Sequence, residues 1–463
     1  RPEAAIWADD DASPFRVQFF HPGFGHHRQV EVAIVDPATN TTTLVPWRSD
    51  RFRFDPPAPS TLGAASAALS GPAGFRLHHE LNTPGVYDEL AVFLGASYFR
   101  LLGAGQVYGI SARALAIDVT APTGEEFPFF RAFSIEKPAP KNPSSPPQIV
   151  VNALLDSVRV TGAYRFVITP GATTEVDVDA VVFARADVAG LGLAPLTSMY
   201  LQGDARRDDF RPEVHDSDGL LLQTGSGEQV WRPLLNPKVV REYAFVDEQP
   251  RAFGLLQRDR DFEHYQDLET HQERRPSLWV TPRGAWGRGH VQLVELPTEN
   301  EFMDNIVAAW RPAAPLRKGE SLRYGYRLSS SLTEPEALRV VGGEQPLARV
   351  VATRSGTAAA MGIKHVDPRA RVFTIDFVGD ALDPHGTSAA TTASTAPMQV
   401  QLTTTSGTVS PATLQPNPST KGWRVAFTFT PAANGDAVTV ADLRLTIVRA
   451  GRALTETWTL PCP

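Results

Sequence analysis

From residue 208 to residue 310 the chain interleaves carboxylates, arginines and aromatics at high density, with no run of one sign. It opens Asp208-Asp209-Phe210-Arg211-Pro212-Glu213-Val214-His215-Asp216-Ser217-Asp218-Gly219. It passes through Trp231-Arg232-Pro233 and Gln257-Arg258-Asp259-Arg260-Asp261-Phe262-Glu263-His264-Tyr265-Gln266-Asp267. It closes on Glu299-Asn300-Glu301-Phe302-Met303-Asp304-Asn305. Such residues can build a polar groove with an aromatic floor. A groove of that kind suits a sugar, whose hydroxyls want Asp, Glu, Arg and Asn partners while its apolar faces stack on Trp and Tyr. Breaking a glycosidic bond needs two carboxyl groups besides, one kept protonated as the acid and one ionised as base or nucleophile. The segment holds too many Asp and Glu residues for spacing to single out the pair. The same mixture also suits a solvated surface laced with ordinary ion pairs.

Other motifs point away from other chemistries. Gly103-Ala104-Gly105-Gln106-Val107-Tyr108-Gly109 lacks the Lys-Ser/Thr ending and the strand-to-helix context of a phosphate loop, and reads as a tight turn between strands. His26-His27 and His78-His79-Glu80 are adjacent residues, which on a strand point to opposite faces and rarely give one metal two ligands; no metal site is expected. No Gly-x-Ser-x-Gly elbow occurs. The single cysteine, Cys462, reads as an inert thiol in a C-terminal tail. Lys plus Arg number 44 against 51 Asp plus Glu, and a mildly acidic chain with scattered charge makes a poor nucleic-acid binder. No apolar run approaches the roughly 18 residues of a membrane span. No cofactor is implied.

The elements that must position these residues are strands. Pro 39 and Gly 35 spread along the chain argue against long helices. Period-two alternation marks Val30-Glu31-Val32-Ala33-Ile34-Val35 and His290-Val291-Gln292-Leu293-Val294-Glu295. Tyr164-Arg165-Phe166-Val167-Ile168 and Thr174-Glu175-Val176-Asp177-Val178-Asp179-Ala180-Val181 flank Thr169-Pro170-Gly171 and predict a hairpin. One short helical stripe runs over residues 261–268. The fold class expected is all-β. The Pro-rich stretch 137–147 is a surface loop, and the Ser/Thr/Ala-rich stretch 387–395 is a loop. A break near Thr333-Glu334-Pro335-Glu336 divides the chain into a large β-sandwich over residues 1–335 and an immunoglobulin-like sandwich over 345–463. The latter contains the strands Val425-Ala426-Phe427-Thr428-Phe429 and Leu443-Arg444-Leu445-Thr446-Ile447-Val448.

Several long motifs then become specific. Phe93-Leu94-Gly95-Ala96-Ser97-Tyr98-Phe99-Arg100, Gly105-Gln106-Val107-Tyr108-Gly109, Pro195-Leu196-Thr197-Ser198-Met199-Tyr200, residues 211–220 and Arg275-Pro276-Ser277-Leu278-Trp279-Val280 resemble the OpgG/OpgD (MdoG/MdoD) family of osmoregulated periplasmic glucan biosynthesis proteins. The match runs from about Phe15 to the C-terminus, strongest before Trp310 and weak after Pro335. The resemblance implies a large N-terminal β-sandwich with a C-terminal immunoglobulin-like domain, a periplasmic location and a β-1,2-glucan partner. It implies inverting cleavage of that glucan, by hydrolysis or by transfer to form α-1,6-closed rings. The family's acid matches Asp304 and its base Asp216. Tyr98, Arg100, Arg113, Trp231, Tyr265, Arg275, Trp286 and Glu301 lie in matching segments and have the chemistry of substrate binders; each aromatic among them also fits a core position.

Two departures from the hydrolytic pattern stand out. Gln272 occupies a place that usually holds Tyr, and Phe302-Met303 replaces a Thr-Asn pair before the acid. A disturbed proton relay would slow attack by water while leaving protonation of the leaving group intact, which favours transfer to a bound sugar hydroxyl. The same changes could instead reshape a subsite. A non-catalytic glucan-binding scaffold also predicts an aromatic groove, but only an enzyme needs Asp304 and Asp216 together. The sequence leaves the oligomeric state open, a homodimer included.

Overall fold

A computed structural model describes residues 5–23, 25–52, 69–203, 209–335, 338, 346–358, 367–382, 396–432 and 440–462. Asp208, most of the expected break after Pro335 and the 387–395 stretch lie outside these residues. The fold is all-β, with 52% of residues in strands and 4% in helix. The expected hairpin is present as Val160–Thr169 paired antiparallel with Thr174–Ala184, Val167 opposite Asp177. Its alternation does what period two dictates: Val160, Tyr164, Phe166 and Ile168 point inward with Val176, Val178 and Val182, while Arg165, Asp177 and Asp179 face outward. The helical stripe shrinks to one turn, Phe262–Tyr265. Asp261 caps it by accepting from the Glu263 amide, and Gln266 ends it in the left-handed region at φ 55°.

Among the described residues the strands form a ten-stranded sheet, a fifteen-stranded sheet, a five-stranded sheet and a two-stranded ribbon. The two large sheets pack face to face over one core. An aromatic cluster marks it, with Phe75 and Phe93 ring centroids 5.1 Å apart and Phe93 and Phe166 5.3 Å apart. Each such ring contributes about 1.5–3 kcal/mol by leaving water. A second core joins Leu221, Trp231 and Trp279 to Phe373, Phe427, Leu445 and Trp458 of the C-terminal strands. The fifteen-stranded sheet carries this join in its backbone, because Thr457–Cys462 pairs in parallel with Gln229–Pro233, Trp231 opposite Trp458. Cys462 is therefore no tail thiol. It is buried in that last strand, and burial pushes its thiol pKa up, which keeps it unreactive.

Strand order explains how distant residues meet. In the ten-stranded sheet Tyr98–Leu101 neighbours Ser111–Arg113, which neighbours Leu191–Ser198, which neighbours Ile306–Pro312. Ser198 lies opposite Ile306, so the loop before Ile306 and the chain after Ser198 emerge at the same end. The chain continues into Tyr200–Gln202, paired with Val214–His215 in the two-stranded ribbon. It then turns through Asp216-Ser217-Asp218 and enters the fifteen-stranded sheet at Gly219–Gln223. Asp216 thus sits where the backbone crosses between layers, and Asp304 two residues before a core strand.

Candidate active site

Asp304 lines a cleft of about 650 Å³ together with Tyr98, Arg100, Tyr108, Glu89, His26 and Phe20. Its side chain is one-third exposed, and Arg100 Nη2 lies 3.9 Å from its Oδ2. Burial, and then the negative charge of Asp216, push its pKa up; Arg100, Arg113 and Arg275 pull the other way without cancelling. A carboxyl group held toward its protonated form at a cleft wall is suited to donate a proton.

Asp216 does not line that cleft. It lies beside it, buried, with its carboxylate clamped by Arg275 and its amide donating to Met199 O at 2.8 Å. Arg275 itself is fixed by close packing: a Cβ on Gly109 would come 2.9 Å from the Arg275 Cβ, so only glycine lets the turn approach so near. Two carboxyl groups of different exposure, each with an arginine beside it and the charge of one felt by the other, have the elements of an acid–base pair.

The loops that carry the pair are cross-tied. The Asn305 side chain accepts from the Tyr200 amide at 2.8 Å and donates to the Tyr200 carbonyl at 3.0 Å and the Leu296 carbonyl at 2.9 Å. Tyr200 stacks on His215, ring centroids 5.2 Å apart and nearly parallel. Gln272 Oε1 accepts from the His215 amide at 2.8 Å. His215 is buried with Nε2 at 2.8 Å from Glu213 and Nδ1 at 2.9 Å from Gln257 Oε1. Gln257 spends its Nε2 on Tyr265 and on Gln272 O, so its Oε1 must accept. Both His215 nitrogens therefore face acceptors. Burial, the largest single influence, depresses this imidazole; the Glu213 bond, the charges of Glu213 and Asp218 and the Gln257 contact together outweigh it and raise the pKa. Arg211 adds a second tie, reaching Asp267 at 3.1 Å, Glu301 at 2.7 Å and Asp209 at 2.8 Å. One guanidinium thus links the loop before Asp216, the loop before Arg275 and the loop before Asp304.

The structure brings some expected site residues together and removes others. Tyr98 and Arg100 line the cleft, and Arg275 holds Asp216. Glu301 is engaged by Arg211 at the loop base. Arg113 is not a cleft residue: it is buried behind Tyr98, its guanidinium 5.0 Å from that ring, bonded to Thr197 and paired with Glu125. Tyr265 is wholly buried, and its hydroxyl is used on Asp259 O and Gln257. Trp231 belongs to the second core, under the Arg258 guanidinium at 3.7 Å. Trp286 packs among Phe253, Trp310, Tyr324 and Tyr326 and donates its indole N–H to Gly325 O at 3.1 Å. All three are buried, with Trp231 covered by a guanidinium, the Tyr265 hydroxyl spent within the protein and Trp286 packed among aromatic rings, which is a structural placement. Trp286→Ala is accordingly expected to cost about 3–5 kcal/mol of stability, read by denaturant unfolding, with glucan affinity per folded molecule unchanged. A selective loss of binding with normal stability would contradict the core assignment.

Phe20, His26, Glu89 and Tyr108 were not expected as site residues. Tyr108 stands inside one of the family-like motifs, which was a usable signal. Among the described residues one group has metal-ligand chemistry, Glu213, Asp259 and His264, with ligand atoms within 4.8 Å of one another. Its members already serve each other and their neighbours: His264 Nδ1 is 2.6 Å from Asp259, and Glu213 bonds His215. His78 and His79 each use Nδ1 on a backbone carbonyl, of Tyr87 and Pro14.

A family model described as "Periplasmic glucan biosynthesis protein, MdoG" matches residues 1–462, extending the similarity to the chain start and through the C-terminal region where it had read as weak. Glucans biosynthesis protein G of Vibrio cholerae is 43% identical over 462 residues, which are 99% of this chain and 78% of that protein. Its namesake from Shewanella sp. (strain ANA-3) is 42% identical over 465 residues, covering 99% and 79%. That of Rhodopseudomonas palustris (strain BisA53) is 43% identical, covering 99% and 84%.

Proposed function

The chain belongs to the MdoG family of periplasmic glucan biosynthesis proteins, and on that premise we propose that it cleaves linear β-1,2-glucan in the periplasm by an inverting mechanism. Asp304 protonates the leaving oxygen, and Asp216 takes the proton of the attacking hydroxyl from the other side of the site. The observation that carries this reading is Asp304 itself: a carboxyl pushed toward its protonated form, on the wall of a cleft with Tyr98, Tyr108 and Arg100, within the field of a second, Arg-clamped carboxylate. Asp216 lies outside the cleft lining, which suits a base that acts through a chain of waters or side chains. A non-catalytic scaffold has no need of this pairing. The scaffold would make Asp304 dispensable.

The attacking hydroxyl is that of a sugar rather than water. Two features favour this reading. Gln272, where hydrolytic relatives of the resembling family carry Tyr, is buried and spends its side chain on the His215 amide, with Asp267 and Thr270 each 3.4 Å away. Phe302 and Met303, 92% and 46% exposed, present hydrocarbon just before the acid, where a polar pair would conduct protons. With the relay weakened, a held sugar hydroxyl wins by proximity. Incubation with linear β-1,2-glucan is expected to give products whose new reducing ends fall well short of the bonds cleaved. Reducing ends accumulating one-for-one with cleavage would reject transfer while leaving the acid–base assignment intact.

A further inference from the structure

The residues 216–218 turn is held from one side by a stack of groups that ends in the C-terminal part of the chain. The Asp218 amide donates to Leu256 O at 2.9 Å, and its carbonyl accepts from the Leu234 amide at 3.0 Å. Its Oδ2 accepts from the backbone amides of both Arg258 and Asp259, each at 2.8 Å. The turn is thus clamped onto the backbone at Arg258. On its other side the next residue is Gly219, and a Cβ there would run into the Trp231 ring. Trp231 is wedged between Gly219 and the Arg258 guanidinium, which covers the indole at 3.7 Å.

What fixes Arg258 comes from elsewhere. Its Nη2 donates to Glu456 Oε1 at 2.7 Å and its Nη1 to Glu456 Oε2 at 3.0 Å, a bidentate fork. Nη1 also reaches Val350 O at 3.1 Å, and Nε lies 2.7 Å from Glu334 Oε1. Glu456 is buried, and its amide donates to Ala348 O at 3.0 Å. It immediately precedes the Thr457–Cys462 strand, which continues the fifteen-stranded sheet beside Gln229–Pro233. Val350 and Glu456 both lie beyond the sequence break expected after residue 335. A buried fork of this kind is poor evidence for stability, because desolvation offsets most of the attraction. It is good at fixing one geometry.

We infer that Arg258 is a positioning residue for the base and that Glu456 supplies its anchor, so the C-terminal region is a working part of the site. The inference rests on the reading of Asp216 as the base. Without the fork, Arg258 can swing off the indole, the 216–218 turn loses its backing, and Asp216 drifts from its line to the attacking hydroxyl. The cleft wall built by Tyr98 and Arg100 belongs to the other large sheet and is untouched by that drift.

The test compares wild type, Glu456→Gln and Glu456→Asp, in the full chain, on linear β-1,2-glucan. Gln keeps the shape and loses the charge; Asp keeps the charge on a shorter arm. For Glu456→Gln, kcat is expected to fall on the order of 10- to 100-fold, the scale of a small misplacement of a catalytic group. KM and the calorimetric affinity for glucan should stay within about two-fold, and Glu456→Asp should recover part of kcat. Unchanged kcat in a folded Glu456→Gln overturns the inference alone. So does a loss of activity that tracks the fraction of unfolded protein, or one shared equally between kcat and affinity, since a merely structural carboxylate would give those results. A wild type that binds glucan and never cleaves it overturns the acid–base reading, and this inference with it.

Discussion

Asp304→Asn is expected to lower the rate of glucan cleavage by about three orders of magnitude while leaving affinity for the glucan within a few-fold of wild type. The two halves of this result have separate causes. Asn is nearly isosteric with Asp and cannot deliver a proton, so the leaving oxygen must depart as an alkoxide. The wild-type carboxyl is already biased toward its neutral form by burial and by Asp216, so the neutral amide changes the ground-state charge of the cleft little. The other cleft residues, Tyr98, Arg100 and Tyr108 among them, are left in place by the change. Product formation by chromatography and binding by calorimetry read the two halves independently. Cleavage at the wild-type rate would remove Asp304 from the mechanism; loss of affinity in step with loss of rate would make it a binding residue.

How much of this was legible in the sequence depends on how far each signal reaches. Period-two alternation is local, and it located the Val160–Thr169 and Thr174–Ala184 hairpin because each strand buries one face on the core. Burial of single aromatics is not local. Trp286 stands between glycine-containing turns at residues 284–287 that suggest an exposed loop, yet its ring enters the core formed by Tyr324, Tyr326 and Trp310. Asn305 was visible beside Asp304, but its partner Tyr200 is 105 residues away, and only the pairing of Ser198 with Ile306 brings them together. Phe20, His26 and Glu89 lie far upstream of the dense polar segment; Phe20 and Glu89 share the ten-stranded sheet with the strand that follows Asp304, and His26 lies in the loop after Phe20, so only the folded chain brings them to one cleft. The carboxylate pair itself came from family resemblance, since the spacing of Asp216 and Asp304 carries no chemical signal until the chain is folded.

Coupling between the two carboxyl groups gives the acid–base reading a second signature, carried by Asp216→Asn. Removing the base is expected to lower the cleavage rate by about 10²–10⁴-fold, and the residual activity should change its pH dependence in a defined direction. In the proposed mechanism Asp304 works protonated, so activity should fall as pH rises through its folded-state pKa. In wild type that pKa is raised, first by burial and next by the charge of Asp216. The variant deletes the Asp216 charge and leaves Arg275 without its carboxylate partner, so the same arginine now acts on Asp304 uncompensated. Both changes favour the ionised form of Asp304. The alkaline limb of the pH–rate profile should therefore move to lower pH. A substitution that only disordered the loop would lower the rate at every pH without moving that limb. An alkaline limb that stays in place in a folded Asp216→Asn would mean that the two groups do not share a field, and the pairing on which inversion depends would fail.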